Sequence, residues 1–137
     1  VPLKQWLTER FRAPTLGEQG ERAVVRYLRR RGYHIITTRW RLRYGEIDVI
    51  AVDGKTIVFV EVKTRRSELG PRPALAVDDH RRRRMTRAAN AFLKGHGLLE
   101  HPARFDIVEV TWPKGARPTI VHHQNAFAAE GRGQFFR

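Results

Sequence analysis

The sequence predicts an α/β domain ordered as helix, three-stranded meander, helix, strand and short final strand. Three observations carry that prediction. Residues 45–65 form two β-branched runs around Asp53-Gly54, a strong signal for a two-residue hairpin turn. Amphipathic helical patterns lie on either side of it, at 15–31 and 78–94. A chain of 137 residues with no cysteine is long enough to bury one core without disulfides, and it has no thiolate metal site.

The elements follow in order. Leu3, Trp6 and Leu7 have helical spacing, so residues 1–14 read as an N-terminal arm or short helix. Thr15-Leu16-Gly17-Glu18 is a capping box, and Gly32 stops the helix it opens at about Arg31. The inward stripe is Leu16, Ala23, Val24, Tyr27 and Leu28. Glu21 borders it, either as a partner for Arg22 or Arg26 or as an acid of the site. Tyr33 to Trp40 is rich in strand formers, and Arg41 to Tyr44 leads into the hairpin. Arginines alternating there with Trp40 and Tyr44 suit phosphate contact and base stacking, although Trp40 also suits ordinary packing.

Within the hairpin, a turn at Asp53-Gly54 sets Ile50 opposite Ile57, Asp48 opposite Phe59 and Glu46 opposite Glu61. One side then carries Ile47, Val49, Ala51, Val58, Val60 and Val62. The other carries Glu46, Asp48, Ile50, Ile57, Phe59, Glu61 and Lys63. Apolar residues on both faces place these strands in the middle of a sheet. Asp48 and Glu61 become diagonal neighbours, roughly 7–8 Å apart at the backbone and within reach of a shared ligand. Carboxylates crowded on a partly buried face repel each other, and a divalent cation is the usual compensation. Lys63 alone, in a charge cluster at the surface, is the plainer alternative.

Residues 66–77 hold two prolines and Gly70 and read as a loop. Asp78 or Asp79 caps a second helix running to about Lys94, with Met85, Ala88, Ala89, Phe92 and Leu93 as its apolar stripe. Arg81 and Arg82 extend that stripe by one turn towards the hairpin end. A basic first turn opposes the helix dipole, so an anion is expected there; Arg83 and Arg84 read as a solvated face. Arg104 to Trp112 is a strand, and Thr119 to His123 a short edge strand. Adjacent His122 and His123 face opposite ways and do not make one metal-binding pair. Asn125 to Phe127 docks on the domain, which spans 15–127, and 128–137 is a loose tail.

Charge points to the partner. Lysine and arginine number 27 against 14 acids, a net charge of +13, and the arginines cluster at 29–31, 39–43, 65–66 and 81–84. Guanidinium groups contact phosphate in a planar, bidentate way, so nucleic acid is the expected ligand; a merely solubilising surface is the alternative. Arg41, Arg43, Arg65, Arg81 and Arg82 are the expected phosphate contacts. No run of about 18 apolar residues predicts a membrane span, and no secretory pattern appears, so a cytoplasmic protein is expected.

Asp48 followed by Glu61-Val62-Lys63 resembles the Asp…Glu-x-Lys signature of the PD-(D/E)xK nucleases. The likeness extends through Gly17-x-x-Gly20-Glu21, Gly32-Tyr33, Gly45 to Ala51, Asp53-Gly54, Val58 to Arg65 and Arg104 to Val108. Over about residues 15–127 the chain resembles the YraN-like bacterial family, which is similar to archaeal Holliday-junction resolvases. The resemblance implies a restriction-endonuclease-like three-layer fold, a central mixed sheet flanked by helices. It implies an endonuclease dependent on Mg²⁺ or Mn²⁺ acting on DNA, branched or otherwise structured, or a non-catalytic nucleic-acid-binding protein on the same fold. Asp48, Glu61 and the Val62 carbonyl would hold the metal, Lys63 would orient the attacking water, and Glu21 would complete the site from the first helix. Cutting two strands would favour a homodimer. Two positions depart from the pattern: Ile47 replaces a proline that supplies no ligand, and Arg81-Arg82 replaces the family's usual Lys-Gln.

Overall fold

A computed structural model of the chain describes residues 2–69 and 79–129. Helix α1 (Leu3–Phe11) precedes α2 (Leu16–Arg30), then strands β1 (His34–Leu42), β2 (Gly45–Asp53) and β3 (Thr56–Arg65). Helix α3 (Asp79–Gly95) leads to β4 (Ala103–Thr111) and β5 (Thr119–Phe127). The strands lie side by side in chain order as one sheet. All neighbours are antiparallel except β3 and β4, which run parallel and are joined through α3. This is a mixed sheet between helices, as the resemblance implies. Residues 70–77 of the expected loop, the Asp78 cap and residues 130–137 of the expected tail lie outside the described residues.

Each helix covers one face. α2 begins in the expected capping box, with Thr15 accepting from the Glu18 N–H and Glu18 reaching back, and ends before Gly32 at φ 88°. Its Val24 and Leu28 pack on Val49, Ala51, Val58, Val60, Val108 and Val110. α3 sends Met85, Ala89, Phe92 and Leu93 against Ile50, Phe59, Phe105 and Ile107 on the opposite face. Two glycines set the close approach of these layers. A Cβ on Gly20 of α2 would overlap the Thr64 side chain, and one on Gly45 would overlap the Arg84 carbonyl of α3.

Three expectations are corrected. First, the hairpin turn is Gly54-Lys55, with Gly54 at φ 60° in the first central position, and Asp53 pairs with Thr56. Ile50 therefore faces Phe59, not Ile57, and counting on from Val49 and Val60 brings Asp48 level with Glu61 instead of diagonal to it. The register moves by two residues, so most side chains keep their predicted face. Second, Ile47 sits in the α3-side core while Val49 sits in the α2-side core. Val62 keeps the side of Val58 and Val60, so the change of face lies in β1 and β2, where Arg39, at φ 51°, falls between the pairs Thr38–Val49 and Trp40–Ile47. Third, the final strand is longer than predicted, because Gln124 to Phe127 continues it and Phe127 stacks on Phe105 at 4.6 Å.

Candidate active site

Asp48 stands where the β2–β3 ladder gives way. Its Oδ2 accepts the Val62 N–H at 2.8 Å, so a carboxylate replaces a carbonyl as the strand's partner. The N–H and C=O of one strand residue point to the same side, so the Val62 carbonyl is directed towards the gap beside Asp48. Glu61, on the next strand, is buried at 3% exposure, with the Lys63 Nζ 3.5 Å from its Oε1. Asp48 and Lys63 are half-buried, the Lys63 side chain being 32% exposed.

The two acids interact. Burial pushes the Asp48 carboxyl up to about 7; the charge on Glu61 adds to this, and the Val62 N–H bond opposes it. The Glu21 carboxylate also raises it, and the Arg81 guanidinium lowers it. Near neutral pH the site therefore resists holding both acids ionised, a situation that an added cation relieves.

Arg81 supplies part of that positive charge. From the first turns of α3 its Nη2 donates to the Glu61 oxygens at 2.7 and 3.0 Å, and its Nε donates to Oε2 at 3.2 Å. Its Nη1 also lies 3.6 Å from Glu46. Arg81 thus reaches the hairpin as expected, but it holds an acid there. Arg82 diverges, with its guanidinium 5.6 Å from the centre of the Phe127 ring. Arg41 is exposed beside Glu46 at 3.2 Å, Arg43 is exposed in the β1–β2 turn, and half-buried Arg65 donates to Thr111 at 3.4 Å.

Glu21 is paired with Arg39, whose Nε donates at 2.9 Å, and with neither Arg22 nor Arg26. Arg39 also lies 3.2 Å from Glu18. Sequence reasoning named Arg39 within a cluster but not as a site residue; its backbone break beside Asp48 has no signature in the sequence. His122 and His123 face opposite ways as expected, to Asp106 and Glu109 respectively, each at 2.8 Å.

Oxygen donors of this kind fit a hard divalent cation. Among the described residues no three His, Asp or Glu side chains come together so as to hold a metal ion, so Glu21 does not join Asp48 and Glu61 in one ligand group. Mg²⁺ does not require three, because it keeps several waters and takes one or two carboxylates plus substrate phosphate.

The profile of the uncharacterised protein family UPF0102 matches residues 20–110. A UPF0102 protein of Geotalea uraniireducens is 47% identical over 113 residues, which are 82% of this chain and 89% of that one. The corresponding protein of Geobacter sulfurreducens is 46% identical over 82% of this chain and 88% of its own length. Among solved structures, the Holliday junction resolvase Hjc of Archaeoglobus fulgidus aligns with a TM-score of 0.48 and 18% identity, over 87% of this chain and 85% of that one.

Proposed function

This chain belongs to the UPF0102 family, the YraN-like group its motifs resemble, and we propose that it is a divalent-metal-dependent endonuclease hydrolysing phosphodiester bonds in DNA. One observation carries the reading: Asp48 Oδ2 accepts the Val62 N–H at 2.8 Å, between Glu61 and Lys63, whose head groups lie 3.5 Å apart; burial and the Glu61 charge push the Asp48 carboxyl up to about 7. Asp48, Glu61 and the Val62 carbonyl would hold Mg²⁺ or Mn²⁺, and Glu21 would lend its charge from α2. Bound there, the ion would supply an activated water and neutralise charge on the phosphate. The Lys63 ammonium, 3.5 Å from Glu61, would orient the attacking water and pair with a phosphate oxygen. Arg81 donates to both Glu61 oxygens; Glu61 would have to exchange those bonds for a cation, and the guanidinium so released would be placed to pair with phosphate. Branched or structured DNA is the substrate the resemblance implies, with a cytoplasmic place of action and a homodimer where two strands are cut.

Labelled junction, flap and linear DNA incubated with Mg²⁺, Mn²⁺ or chelator provide the test. Shortened strands appear with metal and not with chelator. Asp48→Asn and Lys63→Ala each lower cleavage by about 100-fold or more while binding persists. Equal cleavage by the wild type and both variants removes the assignment. A second reading has its own support. The three donor contacts of Arg81 to buried Glu61 suit a finished structural ion pair in a nucleic-acid-binding protein without chemistry. That reading expects binding insensitive to chelator and no product with either metal.

A further inference from the structure

Three arginines of α2 share a groove and hold no carboxylate among the described residues. Arg22, Arg26 and Arg29 recur at i, i+4 and i+7, share one face of the helix and are exposed. With Arg39, Glu18 and Glu21 they line an open groove of about 430 Å³ between α2 and β1. Both glutamates are engaged by other cations. Arg39 holds Glu21 at 2.9 Å and Glu18 at 3.2 Å, and Arg12 holds Glu18 at 2.6 Å. The Arg12 hydrogen bond is the main reason that the Glu18 carboxyl falls to about 2. Arg39 thus acts as a positioning residue, keeping both acids from neutralising the helix arginines. Among the described residues, no ion pair or side-chain hydrogen bond engages Arg22, Arg26 or Arg29. Arg12, Arg39, Arg41, Arg81 and Arg104 all hold carboxylates.

Like charges at this spacing repel along a helix, so the face is suited to an external polyanion. Its length fits one. Seven residues of helix span about 10 Å, and one strand of a duplex carries a phosphate about every 3.4 Å of axis, so about three phosphates lie alongside three guanidinium groups. The groove also adjoins the candidate active site, since Thr38 and Arg39 line it and lie on β1 alongside Val49 and Asp48 of β2.

We propose that the groove between α2 and β1 binds the phosphodiester backbone of nucleic acid through Arg22, Arg26 and Arg29, on the stretch of strand flanking the phosphate at Asp48 and Glu61. The location of that flanked phosphate rests on the nuclease reading above; the affinity of the groove for a polyanion rests on its own charges.

Fluorescence anisotropy of labelled duplex DNA in chelator, across about 50–200 mM salt, tests this without any cleavage. The Arg22→Gln/Arg26→Gln/Arg29→Gln variant is expected to bind at least about tenfold more weakly at the lowest salt. The slope of log affinity against log salt is expected to fall by about two to three. The matching triple Arg→Lys variant restores the slope, which excludes misfolding as the cause. Removing three exposed cations elsewhere, by Lys55→Gln/Lys94→Gln/Lys114→Gln, changes the slope by less than about one. A groove variant with the wild-type slope overturns the proposal; so does an equal loss in the control variant, or a wild type that binds no DNA. Absence of cleavage with Mg²⁺ or Mn²⁺ would remove the nuclease reading and leave the slope comparison intact.

Discussion

Asp106 shows what a single buried charge does in this protein. It is fully buried, yet its Oδ1 accepts from Arg104 at 3.0 Å and from the Asn125 N–H at 2.8 Å, and His122 lies 2.8 Å from Oδ2. Burial raises its pKa, but these partners outweigh that and leave it below the ordinary 3.8. The folded state therefore binds this proton more weakly than the unfolded chain. The resulting stability is present above the ordinary value and is lost as pH falls through the lower folded one. Asp106→Ala takes the main partner from half-buried Arg104, which keeps Asp53 at 3.0 Å, and removes the acceptor beside His122 Nε2 and the Asn125 N–H. It is expected to lower the unfolding free energy by about 3–5 kcal/mol at neutral pH, read by urea denaturation. Its stability should also change less than the wild type's below about pH 4. At this scale the sequence was most legible where chemistry is local. Asp48, Glu61 and Lys63 fall together because two strands joined by a two-residue turn leave few options. The Arg81–Glu61 and Arg39–Glu21 pairs span 20 and 18 residues across separate elements, and no pattern of residue types names such partners.

Helix α2 carries its start and stop in its own residues: a capping box at Thr15 and a left-handed Gly32. Gly20 in its middle looks like a weakness, since alanine there would favour the helix by about 1 kcal/mol. Packing reverses the sign, because the added methyl would overlap Thr64 of β3, next to Lys63. Gly20→Ala is therefore expected to cost a net of about 1–3 kcal/mol, measured as a lowered denaturation midpoint. The hairpin's existence and its two apolar faces were readable from alternation. Its register was not, because Asp53-Gly54 and Gly54-Lys55 both offer a glycine to the turn. The reversal of face at Asp48 escaped for a different reason: it follows from a backbone break at Arg39, a residue type with no preference for positive φ. The full length of β5 was hidden because Gln124 and Asn125 are poor strand formers, held there by Phe127 on Phe105 and by Asn125 on Asp106.

For the molecule as a whole, the order of elements and the two-sided core were legible because each amphipathic helix needs its own face of sheet. Helix α1 is the exception. It buries none of its residues, and Leu3, Trp6, Leu7 and Phe11 remain exposed. Removing residues 1–11 is expected to change the unfolding free energy by less than about 1 kcal/mol, with the thermal transition as the measurement. No described helix is long and apolar enough to cross a membrane. The two rims of the sheet are alike in one respect. On β1 the pairing slips between Ile35 and Thr37, and Arg39 takes φ 51°; on β5 the pairing slips opposite Phe105 and Ile107, and Asn125 takes φ 51°. Each outer row of amide and carbonyl groups is bent out of line, which deprives an incoming strand of an even template. Edge-to-edge addition of a strand from a second copy is thereby disfavoured at both rims.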